Sequence, residues 1–92
     1  MITNEILTAE QIKNLRELGV TIPDEVTISL SDMINLILSE GHPILLESQG
    51  DEGIFAESGG SWSIREDAVS AVYALLCNLI IGKEIGSNII IF

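Results

Sequence analysis

The sequence is poor in several residue types, and each shortage excludes a class of protein. A single cysteine, Cys77, allows no internal disulfide, which indicates a reducing compartment. Only four Lys and Arg residues stand against 14 Asp and Glu residues. The resulting net charge of −10 repels nucleic acid and anionic membranes and attracts basic surfaces. The first eight residues contain Glu5, no basic residue and no long apolar run. We therefore expect no secretory signal and predict a cytoplasmic protein.

Aromatic residues are also few, at 4 % of the chain, although hydrophobic residues make up 47 %. The core must therefore be aliphatic, and a chain of 92 residues is long enough for one modest core in a single domain. The longest apolar stretch, residues 68–81, would span roughly 21 Å as a helix, which is too short for a hydrocarbon core of about 30 Å. We therefore predict no membrane association.

Residues 63–82 form the stretch around which we expect the fold to be built. Ser63 and Glu66 have the spacing of a capping box, and Gly82 is a typical left-handed helix end. Few side chains between them are polar, which indicates a helix buried on most sides. We predict a core helix from Ser63 to Gly82.

Two further helices are predicted earlier in the chain. Thr8 with Gln11 is a capping box that begins a helix ending near Gly19. Ser29 begins a second helix in the same way, and Gly41 ends it.

Short apolar segments, residues 44–48 and 53–57, flank a polar tip and predict a β-hairpin. The final apolar run predicts either another strand beside the hairpin or a strand in a partner subunit. The predicted fold is therefore a small α+β domain, an antiparallel sheet packed by three helices in the order α-α-β-β-α-β. A homodimer would use the side chains of the last run: Ile89, Ile90, Ile91 and Phe92.

The layout resembles that of small uncharacterised proteins encoded by phages and integrated elements of gut Bacteroidales. The resemblance lies in the opening segment LTAEQIKNLRELGV, the short helix SLSDMINLI, the strand pair and the closing helix AVSAVYALLCNLI. It covers most of the chain, but its motifs are helix caps and leucines. The group has no established activity, so the resemblance implies only an origin in a phage or mobile element.

Residues that could support catalysis or bind a cofactor form no complete motif. Cys77 has no electropositive neighbour within a helical turn, and His42, the only histidine, follows a helix end. Asp51 and Glu52 lack the spacing of a calcium loop. Paired carboxylates have no nearby His or Lys to complete a general acid–base site. We therefore predict a non-enzymatic protein with no catalytic residue, metal or cofactor.

The most unusual feature is a long segment, residues 17–64, that contains nine acidic residues and no Lys or Arg. One interpretation is a surface kept soluble by its charge. The other is an acidic surface that docks a basic protein partner, such as a nucleic-acid-binding protein whose phosphate-binding surface accepts spaced carboxylates. The residues assigned to that surface are Asp24, Glu25, Glu47, Asp51, Glu52 and Glu57.

An alternative function is a small regulatory or ligand-sensing module. Its site would lie near residues 59–62, from Gly59 to Trp62, where a glycine-rich loop precedes the predicted core helix. A simple flexible turn is the competing interpretation of the same loop.

Overall fold

A computed structural model of the chain describes residues 6–83. It has a 3₁₀ turn at Gly50–Glu52 and six longer elements in the order α-α-β-β-β-α: α1 Ala9–Glu17, α2 Leu30–Ser39, β1 Leu45–Ser48, β2 Ile54–Ser58, β3 Ser61–Arg65 and α3 Ala68–Ile81. The predicted α+β class with three helices and an antiparallel sheet is confirmed. The predicted element order is corrected, because the third strand of the described sheet precedes α3. The strand predicted at the end of the chain lies outside the described residues.

The first two helices begin at the predicted caps. The Thr8 side chain accepts a hydrogen bond from the Gln11 amide, and the Gln11 side chain accepts one from the Thr8 amide. Ser29 and Asp32 form the same reciprocal pair at the start of α2. These bonds satisfy amides that have no partner within the helix, so local sequence is enough to place both helix starts.

The predicted start of the core helix at Ser63 is wrong. Ser63 lies in β3, and the N-cap is Asp67, whose carboxylate accepts from the Ser70 amide at 2.8 Å. The Ser63 hydroxyl instead donates to the Ala71 carbonyl at 2.6 Å and joins β3 to α3. The left-handed residue that ends α3 is Lys83 rather than Gly82, which has a φ of −80°.

The predicted burial of this helix is confirmed. Seven side chains of α3 are buried: Val69, Ala71, Val72, Leu75, Leu76, Leu79 and Ile80. Only Asn78 and Ile81 of the helix are exposed. The helix packs against β2 and β3 on one side and against α2 on another. The Asn14 side chain also donates to the Tyr73 hydroxyl at 3.3 Å, which links α1 to α3.

The sheet is a meander in the order β1-β2-β3, and all of its pairs are antiparallel. Gly59 and Gly60 connect β2 to β3, and both have positive φ, at 54° and 96°. A two-residue type I′ turn requires positive φ at both positions and matches the twist of the strands that it joins. The glycine-rich loop that was a candidate ligand site is therefore a hairpin turn, closed by the Ser58–Ser61 pair.

The connector between α1 and α2 buries Val20, Ile22 and Ile28 in the core and is also bound by one side chain of α1. The Arg16 guanidinium donates to the carbonyl oxygens of Ile22 and Pro23 at 2.9 and 3.1 Å. It also lies 3.6 Å from the Asp24 carboxylate, whose side chain is 99 % exposed. Because such an exposed ion pair contributes little, the bonds to the carbonyls fix the connector.

Candidate partner-binding surface

One face of the sheet packs on α3 and the other has no covering element among the described residues. Ala56, Ser58 and Ser63 are buried on the packed side. Side chains alternate along a strand, so their neighbours in sequence point the other way. This second side, called the open face below, carries two cross-strand rows: Leu45, Glu57 and Trp62, then Glu47, Phe55 and Ile64.

Two aromatic rings lie on the open face. Phe55 and Trp62 are diagonal neighbours on adjacent strands, and their rings stack with centroids 6.1 Å apart. The Trp62 side chain is nevertheless 58 % exposed, and Leu45, two strands away in the same row, is 48 % exposed. Large apolar side chains grouped on an exposed surface typically mark a binding site.

The aromatic rings share the open face with two carboxylates. Glu57 lies directly between Leu45 and Trp62 in the register, and Glu47 lies directly opposite Phe55. Diagonal neighbours in a sheet are about 7 to 8 Å apart, so Glu47 and Glu57 place two negative charges close together. Neither forms an ion pair with a described Lys or Arg. The Glu47 carboxylate accepts a hydrogen bond from the side-chain amide of Gln49, at 2.9 Å.

A shallow hollow of about 380 Å³ lies between these groups and is lined by Glu47, Gln49, Phe55, Trp62 and Ile64. Its walls combine a stacked aromatic pair with a carboxylate. A cation over an aromatic face is attracted by the ring quadrupole, and Trp gives the strongest attraction. The hollow can therefore accept a cationic side chain with an apolar stem, such as that of Arg or Lys.

The predicted acidic residues occupy two separate parts of the fold. Glu47 and Glu57 lie on the open face, and Asp51 and Glu52 are exposed in the 3₁₀ turn at the tip of the same hairpin. Asp24 and Glu25 lie on the connector between α1 and α2. The structure thus groups four of the six predicted residues on the β1–β2 hairpin. The predicted dimer residues, Ile89, Ile90, Ile91 and Phe92, lie outside the described residues.

The second candidate location, near Gly59, also contains a hollow. Its volume is about 300 Å³, and it is lined by Pro43, Ile44, Leu45, Glu57, Ser58, Gly59 and Gly60. The Ser58 side chain is 2 % exposed, and its hydroxyl has no hydrogen-bond partner in the described part of the chain. A buried hydroxyl without a partner is costly, so its presence beside a hollow is compatible with a small polar ligand.

The environment of Cys77 does not activate its thiol. Burial raises the pKa of Cys77, and a hydrogen bond with Tyr73 only partly opposes that shift. Burial also raises the pKa of the Tyr73 hydroxyl. Since the thiolate is the nucleophile, this setting keeps Cys77 in its unreactive form near neutral pH. Across residues 6–83, no group of three or more His, Cys, Asp or Glu side chains is arranged to hold a metal ion.

The sequence alone did not indicate Leu45, Phe55 or Ile64 as surface residues, and it indicated Trp62 only for the alternative ligand site. A pattern that could have revealed two of them is the alternation of Ser61, Ser63 and Arg65 with Trp62 and Ile64 after a pair of glycines. Such alternation following a two-residue glycine turn is typical of the second strand of a hairpin. It predicts that Trp62 and Ile64 share one face of the sheet.

None of the helices between residues 6 and 83 combines the length and the apolar character needed to cross a membrane. Comparison of the chain with protein-family models, with curated proteins and with solved structures gives no match.

Proposed function

We propose that this chain is a non-enzymatic binding protein that docks a basic protein partner through the open face of its sheet. The observation that carries the proposal is the composition of that face. Glu47 and Glu57 lie among exposed aromatic and aliphatic side chains, and no basic side chain lies in either row. Such a surface offers both apolar contact area and unpaired negative charge to a cationic partner.

The charge of the whole chain supports the same function. Its net charge of −10 produces a field that speeds the approach of a basic protein and disfavours acidic ones. Asp51 and Glu52 extend the negative charge of the open face to the exposed tip of the hairpin. The partner could be a nucleic-acid-binding protein, with the carboxylates occupying the positions of phosphates and inhibiting nucleic-acid binding. An origin in a phage or mobile element and a cytoplasmic location belong to this proposal.

In the experiment, the full chain is immobilised and used to capture proteins from a nuclease-treated lysate. The captured protein is then purified, and its affinity for the chain is measured. The expected partner is basic, and its affinity falls steeply between low and moderate salt because the contacts are electrostatic. The double variant Glu47→Gln/Glu57→Gln should weaken binding. The control variant Asp24→Asn/Glu25→Gln makes the same change in charge on the connector and should weaken binding less. Binding that is insensitive to salt, or equally sensitive to both variants, would contradict docking at the open face.

A ligand-sensing module is the second candidate function. The observation that favours it is the buried, unpartnered Ser58 hydroxyl beside the hollow at Gly59. A ligand of the folded state raises the melting temperature, so a thermal-shift screen of small polar metabolites tests this function. A hit that is lost in Ser58→Ala would support it, and a screen without hits would leave protein docking as the better account.

A further inference from the structure

β1 is an edge strand with little cover on any side. Within residues 6–83 it pairs with β2 along one edge only, and all four of its residues are exposed. The outer edge of such a strand presents unpaired N–H and C=O groups that can form hydrogen bonds with another strand. The structure therefore offers a backbone binding site directly beside the open face.

The hydrogen-bond pattern identifies the outward groups. The Gln49 amide donates to the Gly53 carbonyl at 2.7 Å, which sets the phase of the ladder between β1 and β2. Bonded and non-bonded positions alternate in an antiparallel pair. Leu45 and Glu47 therefore bond toward β2, whereas the backbone groups of Leu46 and Ser48 point away from the sheet.

The two sides of β1 differ in chemistry. On the open face, the next strand position would lie beside the Glu47 carboxylate, with Glu57 and Trp62 farther across the sheet. On the opposite side, Leu46 is 38 % exposed, because α3 packs under β2 and β3 rather than under β1. A strand added here would place alternate side chains beside Leu45 and the Glu47 carboxylate on the open face, and beside Leu46 and Ser48 on the opposite side.

We propose that the basic partner binds by adding an extended segment as a fourth strand along β1, and that basic and apolar side chains alternate in this segment. The inference rests on the proposed function and specifies how the partner is recognised. Main-chain bonds to Leu46 and Ser48 supply affinity, and the alternation of side chains supplies specificity. The basic side chains lie over the open face, where Glu47 is adjacent.

Charge selects a basic segment over a second copy of this chain. Pairing β1 with β1 of another molecule would bring two Glu47 carboxylates onto the same face of one sheet, where like charges destabilise the pair. Two chains that each carry a net charge of −10 also repel at longer range. A cationic strand reverses both effects.

The test uses three short synthetic peptides with blocked ends. The first alternates arginine and valine, the second has the same composition with all arginines before all valines, and the third repeats the alternating sequence with an N-methyl group on every amide. Calorimetry measures their binding to the full chain. The alternating peptide should bind at least about tenfold more tightly than the other two, since only it combines the side-chain pattern with a free hydrogen-bonding edge.

Equal binding of all three peptides would overturn strand addition while leaving the proposed docking of a basic partner intact. Binding of none of them, with a captured basic protein still bound, would overturn it in the same way. On the protein side, Ser48→Pro removes an outward N–H, a change that an edge strand tolerates. Ser48→Pro should weaken binding of the alternating peptide but not of the N-methylated peptide. If the chain instead forms a dimer that excludes the peptide, the edge of β1 belongs to a second copy and the inference is overturned.

Discussion

Trp62 and Phe55 stack across two adjacent strands, with ring centroids 6.1 Å apart, on the side of the sheet that α3 does not cover. An aromatic pair on the side that packs against α3 would simply be part of the hydrophobic core. Here Trp62 is 58 % exposed and lies beside Glu57 in the register. The pairing of an exposed indole with a carboxylate is the basis for assigning this face to a cationic partner.

Replacement of the indole should separate binding from stability. In Trp62→Ala, affinity for a captured basic partner should fall by about 30-fold, because a central Trp contributes about 2 kcal/mol or more at many interfaces. The free energy of unfolding should fall by no more than about 1.5 kcal/mol, the value of the lost aromatic contact. The matched control is Ile81→Ala, since Ile81 is equally apolar and 66 % exposed. Equal losses of affinity in both variants would show that the open face has no special role.

The two groups of acidic residues should differ in their contribution to binding. Glu47→Gln/Glu57→Gln should weaken a basic partner about three- to tenfold at low salt, as expected for two exposed ion pairs. Asp24→Asn/Glu25→Gln should change affinity by less than about twofold, since those residues lie on the connector and only long-range attraction is reduced. Titrations at two salt concentrations would measure both effects. A larger loss in the connector variant would place the interface there.

Two glycines of the β1–β2 hairpin should respond differently to the same substitution. A Cβ at Gly53 would overlap the carbonyl oxygen of Arg65, and its φ of 105° is unfavourable for other residues. Gly53→Ala should therefore lower the free energy of unfolding by at least about 3 kcal/mol. Gly50 has a φ of 63° and open space around it, so Gly50→Ala should cost only about 1 kcal/mol. Chemical denaturation measures both, and equal losses would contradict the close approach of Gly53 to β3.

The start of α3 can be checked by removing two neighbouring acidic side chains in turn. Asp67→Ala should lower the free energy of unfolding by about 1 kcal/mol, because the carboxylate accepts from the Ser70 amide. Glu66→Ala should lower it by less than about 0.5 kcal/mol, since Glu66 is exposed and lies before the cap. A larger loss in Glu66→Ala than in Asp67→Ala would instead support the capping box at Ser63 that the sequence suggested.

Local chemistry was sufficient to predict the first two helices. The caps at Thr8 and Ser29 and the glycine ends at Gly19 and Gly41 involve neighbouring backbone groups, and the structure contains all four. Both ends close with the hydrogen-bond pattern of a Schellman motif, in which Val20 donates to Leu15 and His42 donates to Ile37. These features depend on residues a few positions apart, so sequence reasoning can identify them.

The beginning of α3 could not be predicted with the same certainty because two local patterns compete there. Ser63 and Glu66 fit a capping box, and the residues around Ser63 also alternate as a strand. Pairing with β2 and the bond from Ser63 to Ala71 stabilise the strand, and both are tertiary contacts. The open face depends in turn on that strand, because only β3 brings Trp62 and Ile64 beside Phe55. Sequence alone indicated the acidic charge but not the apolar surface beside part of it.

Trp62 is the only tryptophan of the chain, so its fluorescence reports on the open face without any substitution. The most direct test is a titration of the full chain with the captured basic protein, its own tryptophans replaced by phenylalanine, followed by emission and, in parallel, by calorimetry. Docking on the open face predicts that Trp62 emission shifts to shorter wavelength with the same binding curve as the heat, because the partner excludes water from the indole. Binding heat with unchanged Trp62 emission would contradict the account.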